Sequence, residues 1–188
     1  MVTCLRSHAR LLLIVLALLS VFGCAPRPSL TLSPGLSPNF SADNIYVVPF
    51  TSTLVPEFFS EAAFNSFVDH LGRERRQVNV KGFPILRDET VENDPAWLLR
   101  QARIKGEFWS YTENSGCCST EIRVKGRASL FEPGKTEPSA EVFLPQEVFF
   151  EHDRSTIARE REKLSATLGR NLAVLLLQSL KKPAGPSR

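Results

Sequence analysis

The sequence predicts a mixed α+β domain of two layers, with helices packed on a mixed sheet. Three observations predict it. Ile122, Val124, Ala128 and Leu130 alternate with Arg123, Lys125, Arg127 and Ser129, the period of a strand that is wet on one face and buried on the other. Phe59, Ala63, Phe67 and Leu71 recur four apart, the period of a helix that buries one stripe. Ile157, Leu164, Leu168, Leu172 and Leu175 mark a second, longer stripe near the C-terminus. Along the chain the expected elements read β-α-β-α-β-β-β-α, an order that places helices on one sheet.

The chain opens with a different kind of segment. Arg6 and Arg10 precede a short apolar run from Leu11 to Phe22. A spanning helix wants ~20 apolar residues, so residues 1–23 read as a cleaved secretory signal rather than a permanent anchor. Val21-Phe22-Gly23-Cys24 resembles the lipobox of bacterial lipoproteins. The resemblance implies cleavage between Gly23 and Cys24 and a diacylglycerol thioether on the Cys24 thiol. It places the mature chain in the cell envelope, facing the periplasm. One acyl chain holds only marginally, at about 0.8 kcal/mol per buried CH₂; the two or three chains of this family, palmitate among them, hold lastingly. Ala25 follows, where aspartate in enteric-type sorting retains a lipoprotein in the inner membrane, so the resemblance implies the outer membrane.

The formal charge of +3 falls to about +1 once Arg6 and Arg10 are removed. The remaining Lys and Arg are mixed with Asp and Glu, which argues against a nucleic-acid partner, since that wants a clustered basic patch. Of the four cysteines, Cys4 lies in the signal and Cys24 takes lipid. Cys117 and Cys118 are adjacent in a turn-like stretch. They are either a vicinal disulfide or reactive pair at a hairpin tip, or two small residues flanking a turn; the second reading is favoured. With no His or further Cys nearby in sequence, a four-ligand metal site is not expected, and no cofactor motif is present.

Residues 24–43 join the lipidated cysteine to a Pro/Ser-rich tether. One globular domain is expected over residues 44–180, with a loose tail over 181–188. Asn44 to Phe50 is rich in β-branched and aromatic residues and reads as a strand, with Pro49 at its exit or edge. Pro56 and Glu57 suit the first turn of a helix, and Gly72 suits its end. Val78 to Leu86 reads as a second extended region broken by Gly82 and Pro84. Asp94-Pro95 reads as an N-cap and first-turn proline, opening a short helix with Trp97, Leu98 and Leu99. Strands follow over 104–111, about 122–130 and 142–151. The turn Glu132-Pro133-Gly134-Lys135 joins the last two, and Gly126 on the buried face admits a bulge or a close neighbour. Asp153 or Ser155 is expected to cap the final helix, about Thr156 to Leu180.

At this level the body resembles a loose group of envelope lipoproteins. The group includes the penicillin-binding-protein activator lipoproteins, the curli secretion lipoprotein, the amino-terminal domain of the Tol translocation protein and the lipopolysaccharide-assembly lipoprotein. The residues that carry the resemblance are Ile45 to Phe50, the helix from Pro56 to Leu71, Ala102-Arg103-Ile104-Lys105-Gly106-Glu107 and the helix from Leu164 to Leu180. Arg103 stands where the group often has an acidic residue. The resemblance implies a small α/β domain that binds other envelope components.

The leading functional expectation is therefore a non-catalytic accessory or assembly factor, held at the membrane by its lipid and engaging a protein of the envelope. The alternative is a lipid-, glycan- or ligand-binding subunit supporting transport, whose sign would be an apolar groove. A hydrolase is less favoured. Its candidates, His70 and His152 with Glu151 and Asp153, sit in no recognisable motif, and a triad is defined by geometry. The residues expected at an interaction surface are Arg73, Arg75 and Arg76, Cys117 and Cys118, and Arg159 and Arg161.

Overall fold

The computed structural model describes residues 28–32, 42–78, 80–86 and 94–181. Residues 1–23, Cys24 and the tail beyond Lys181 lie outside them. Six strands form one mixed sheet: β1 (Ser29–Leu32), β2 (Tyr46–Val47), β3 (Thr51–Thr53), β4 (Arg103–Ser115), β5 (Ser119–Phe131) and β6 (Ala140–Glu151). Their order is β1-β6-β5-β4-β2, with β3 also paired to β4. β4, β5 and β6 form an antiparallel meander. β2 and β3 run parallel to β4, and β1 runs antiparallel to β6. The helices are α1 (Glu57–Glu74), α2 (Pro95–Leu99) and α3 (Ile157–Leu180). This is the α+β domain that the sequence predicts.

The core lies between the sheet and the α1–α3 layer. Phe59, Ala63, Phe67 and Leu71 of α1 are fully buried, as the four-residue spacing requires. They meet Ile104 and Phe108 of β4, Ile122 to Leu130 of β5, and the Leu164, Leu168, Leu172 and Leu176 stripe of α3. The two helices start at the same end of the domain and run side by side in the same direction. Gly169 makes their approach possible: a Cβ at that position would run into the Ala63 carbonyl oxygen. Gly126 has a similar role on β5, since a Cβ there would lie 2.9 Å from Leu172 of α3. Of the two roles open to Gly126, the structure shows the close neighbour.

Several local features differ from the sequence reading. Four residues of the expected tether, Ser29–Leu32, form a strand on β6; Leu-Thr-Leu is β-capable once an edge is offered to it. The opening strand expected over Asn44–Phe50 shortens to β2, ahead of Pro49, which has no N–H to donate, and an unexpected strand, β3, follows beyond it. The expected strand over Val78–Leu86 contributes only isolated bridges at Gly82 and Ile85. Gly72 lies inside α1, which runs on to Glu74 and into a 3-10 turn, Arg75–Val78. The cap of α3 is Thr156, whose hydroxyl accepts from the Arg159 N–H, rather than Asp153 or Ser155. Ser155 instead donates to the Glu160 carboxylate at 2.7 Å. On α3, Ile157 and Leu175 are only half-buried, and Ala173, Leu176 and Leu177 complete the stripe.

Candidate interaction surface

The domain has two ends. The β4–β5 hairpin tip, the exit of β6 and the starts of α1 and α3 share one end; the β5–β6 turn and the short helix α2 share the other.

At the turn end the backbone is tightly satisfied. Asp94 caps α2 by accepting from the Trp97 N–H at 2.7 Å. Tyr46 and Val48 point away from the main core, because neighbours on a strand face opposite sides. There they pack with Leu86, Trp97 and Leu98 in a second small cluster. Arg103 is buried and donates to the carbonyls of Lys135 at 2.9 Å and of Leu99 and Gln101 at 3.4 Å. Its guanidinium lies 4.7 Å from the centre of the Phe131 ring, and burial pulls its pKa below the usual arginine value. A carboxylate at this position would have no donor to give these carbonyls. Gly134, with φ +78°, closes the turn and donates to Leu99 O at 2.8 Å.

The tip end is arranged differently. Between Trp109 and Thr112 of β4 the register with β5 slips by one residue, with Ser110 at φ +60°. Such a bulge re-aims the strand beyond it. Before it, Ile104 and Phe108 face the helices; after it, Tyr111 and Glu113 do. Tyr111 packs on Phe59, ring centres 5.3 Å apart. Glu113 accepts from Tyr111 Oη at 2.8 Å and takes Arg161 of α3 in a two-pronged pair at 2.7 and 2.8 Å. Burial, reinforced by the Glu113 hydrogen bond, pushes the Tyr111 phenol up to about 12.

The tip itself is Gly116-Cys117-Cys118, closed by Gly116 N–H donating to Ser119 O at 2.8 Å. Both thiols are free and exposed, with their sulfurs 3.2 Å apart. The hydrogen bond with Cys117 raises the Cys118 thiol above its ordinary pKa. His152 fastens the tip to the exit of β6. Its backbone N–H donates to Cys118 O at 2.9 Å, and its Nε2 lies 2.8 Å from the buried Thr120 hydroxyl, itself 2.9 Å from Ser115 Oγ.

The expected surface residues therefore divide. Cys117, Cys118, Arg159 and Arg161 come to the tip end, where Arg159 is exposed and Arg161 is committed to Glu113. Arg73, Arg75 and Arg76 are exposed at the far end of α1. His70 and His152 lie at opposite ends of the domain, and burial holds His70 below the usual imidazole value. Among the described residues no group of three or more His, Cys, Asp and Glu is placed to hold a metal ion. No helix there is long and apolar enough to cross a membrane.

Sequence reasoning missed two surface features. One is the open face of the sheet, where Trp109 stacks near Phe143 at 5.8 Å and Arg127 pairs with Glu107 and lies over Trp109. The other is a set of exposed apolar side chains: Phe58 and Phe149 toward the tip end and Leu54 beside the middle of β4 are 53%, 66% and 89% exposed, and Ile85 near the turn end is 50% exposed. A core role is the default expectation for Phe58 and Phe149, and the structure contradicts it: Phe58 lies off the α1 stripe, and Phe149 faces opposite the buried Phe150. Two open clefts flank α3. One of about 370 Å³ is bordered by Phe58, Ala62, Ala158 and Arg161. The other, of about 350 Å³, lies between α3 and β6 near Pro145, Val148 and Leu164.

No protein-family model and no curated protein sequence matches the chain. Solved structures do. The PelC dodecamer from Paraburkholderia phytofirmans matches with a TM-score of 0.50 at 16% identity, over 78% of this chain and 96% of PelC. Lipoprotein GNA1162 from Neisseria meningitidis matches with a TM-score of 0.40 at 11% identity, over 73% and 98%. At this identity the likeness to PelC is one of fold.

Proposed function

We propose that the mature chain is a lipid-anchored, non-catalytic protein of the bacterial envelope, acting as an accessory or assembly subunit. It faces the periplasm, from the outer membrane rather than the inner. One observation carries this reading: the apolar run ends in Val21-Phe22-Gly23-Cys24, directly ahead of a short segment and a single small domain. A thiol at that position is the natural acceptor for a lipid thioether.

The fold likeness to PelC, described as a dodecamer, supports a role in assembly. The partner is then a further copy of the chain or another envelope protein, as the resemblance to the activator, curli-secretion, Tol and lipopolysaccharide-assembly group implies. The clefts beside α3 favour one second reading, a subunit that carries lipid or glycan.

Crosslinking in native membranes, with Cys24→Ala as control, tests the proposal. A defined protein partner, or a ladder of the chain's own multiples, lost or weakened in Cys24→Ala, is the expected result. Lipid or glycan recovered without protein supports the carrier reading. Turnover of an envelope substrate by the purified chain contradicts both.

A further inference from the structure

Leu54, Phe58 and Phe149 stand exposed on the way to the tip. β3 runs parallel to β4, with Thr53 opposite Trp109, so Leu54 leaves the sheet heading toward the tip. Phe58 is in the first turn of α1, with Arg161 at 5.6 Å over its ring. Phe149 sits opposite Glu121, two residues from the start of β5 at the tip. Phe58 and Phe149 thus stand behind the uncharged stretch Asn114 to Thr120 with its two exposed thiols, and Leu54, one residue past the Thr53–Trp109 pair, stands further back on the way to it. Leu54 is the most telling of them. It holds φ +57°, a left-handed conformation that favours glycine, while its side chain is almost wholly exposed. Such backbone strain under a large exposed apolar group marks a site that meets something outside the chain.

The anchor points to the same end. β1 is antiparallel to β6, with Ser29 opposite Phe143 and Leu32 opposite Ala140. The upstream end of β1 therefore faces the Glu151 end of β6, the side of the tip. Cys24 is five residues before Ser29, a reach of at most about 18 Å. From Phe143 to Phe149 the strand itself advances about 20 Å. The sequence reading allowed a tether of about twenty residues; with β1 docked, the free leash is a quarter of that.

We propose that the tip end of the domain lies against the lipid surface, with Leu54, Phe58, Phe149 and the Cys117–Cys118 turn entering the headgroup layer. This rests on the lipid anchor at Cys24 proposed above. The anchor on its short leash holds the tip at high effective concentration beside the bilayer. Modest apolar partitioning then suffices to fix the orientation, as it does for interfacial segments. Charges at this end are of both signs, with Glu151 paired to Arg154 at 3.0 Å and Arg123 paired to Glu121. The contact is accordingly apolar and insensitive to salt. It leaves the β5–β6 turn and Arg73, Arg75 and Arg76 facing away from the membrane, toward the periplasm.

The test uses the full, membrane-processed chain in vesicles of phosphatidylethanolamine and phosphatidylglycerol. Cys117→Ser leaves Cys118 as a single site for an environment-sensitive fluorophore. A second chain carries Cys117→Ser, Cys118→Ser and Thr136→Cys, labelled at the opposite end. Nitroxide lipids are expected to quench the label at 118 several-fold more than the label at 136, equally at low and high salt. Adding Leu54→Ser and Phe149→Ser should at least halve the quenching at 118 while the chain stays in the vesicle fraction. Equal quenching at the two sites, or stronger quenching at 136, overturns the orientation and leaves the anchor standing. A chain that leaves the vesicles at neutral pH without detergent overturns the anchor, and the orientation with it.

Discussion

The two ends of this domain differ in what they leave exposed. At the turn end, Arg103 is enclosed and satisfies three carbonyls, and a capped helix covers a small second cluster. Toward the tip end, apolar side chains stand in solvent, and one of them holds a backbone conformation that its side chain disfavours. Burial and hydrogen-bonded polar groups are what stability asks for, and the first end largely supplies them, with Ser139 Oγ buried without a partner and Ile85 half exposed as its exceptions. The second end departs from that rule at several positions at once, and such departures gather where a protein meets a partner. Between the ends, the α1–α3 seam and the antiparallel meander hold the two in fixed relation.

Substitutions can sharpen or break this contrast. The largest effect is expected at the seam joining the ends. Gly169→Val forces a side chain onto the Ala63 backbone and should cost at least about 3 kcal/mol, read as a lowered midpoint in urea; an unchanged midpoint contradicts the seam. Next is Arg103→Met at the turn end. It keeps the packing on Phe131 but removes the guanidinium that donates to the Lys135 and Gln101 carbonyls, while Leu99 O keeps the Gly134 N–H. A loss of about 2 kcal/mol is expected, and denaturation curves within error of the parent would mean that water takes its place without cost.

A smaller effect is expected from pH. The Tyr111 phenol is raised in the fold from 10.0 to about 12, so the fold favours its neutral form. The stability it contributes is complete below about pH 10 and is lost as the pH rises through about 12. Tyr111→Phe should flatten that part of the stability–pH curve relative to the parent; parallel curves would remove Tyr111 as the cause. The smallest effect is toward the tip. Leu54→Gly should cost nothing and gain up to about 1 kcal/mol by relieving the left-handed strain. A clear loss would place Leu54 among residues that stabilise the fold, contrary to its exposure.

Much of this architecture was legible in the sequence, for physical reasons that differ along the chain. The α1 stripe and the β5 alternation were readable because burial on one face imposes a strict period. The Asp94-Pro95 start of α2 was readable because a cap acts locally. The docking of Ser29–Leu32 was not, because four β-capable residues among prolines become a strand only when β6 offers a free edge. The bulge at Ser110 was hidden too: it rests on pairing with β5, and it alone brings Glu113 beneath Arg161. Arg161 looked like a free surface charge because its partner is 48 residues away. Arg103 showed in the sequence only as a departure from the motif, because its partner at Lys135 lies 32 residues away. The tip surface was not legible: Phe58 lies off the α1 stripe, but a phenylalanine is by default a core residue, and exposure of Phe58 and Phe149 depends on which elements leave those faces uncovered.

The most direct measurement is the intact mass of the mature chain extracted from its own membranes, with a Cys24→Ser chain made alongside. The account predicts a chain that begins at Cys24 and carries the added mass of a diacylglycerol thioether. The Cys24→Ser chain should lack that mass and appear in the soluble fraction. A parent chain with an unmodified Cys24, or one that still carries residues 1–23, would contradict the lipid anchor on which both the function and the orientation rest.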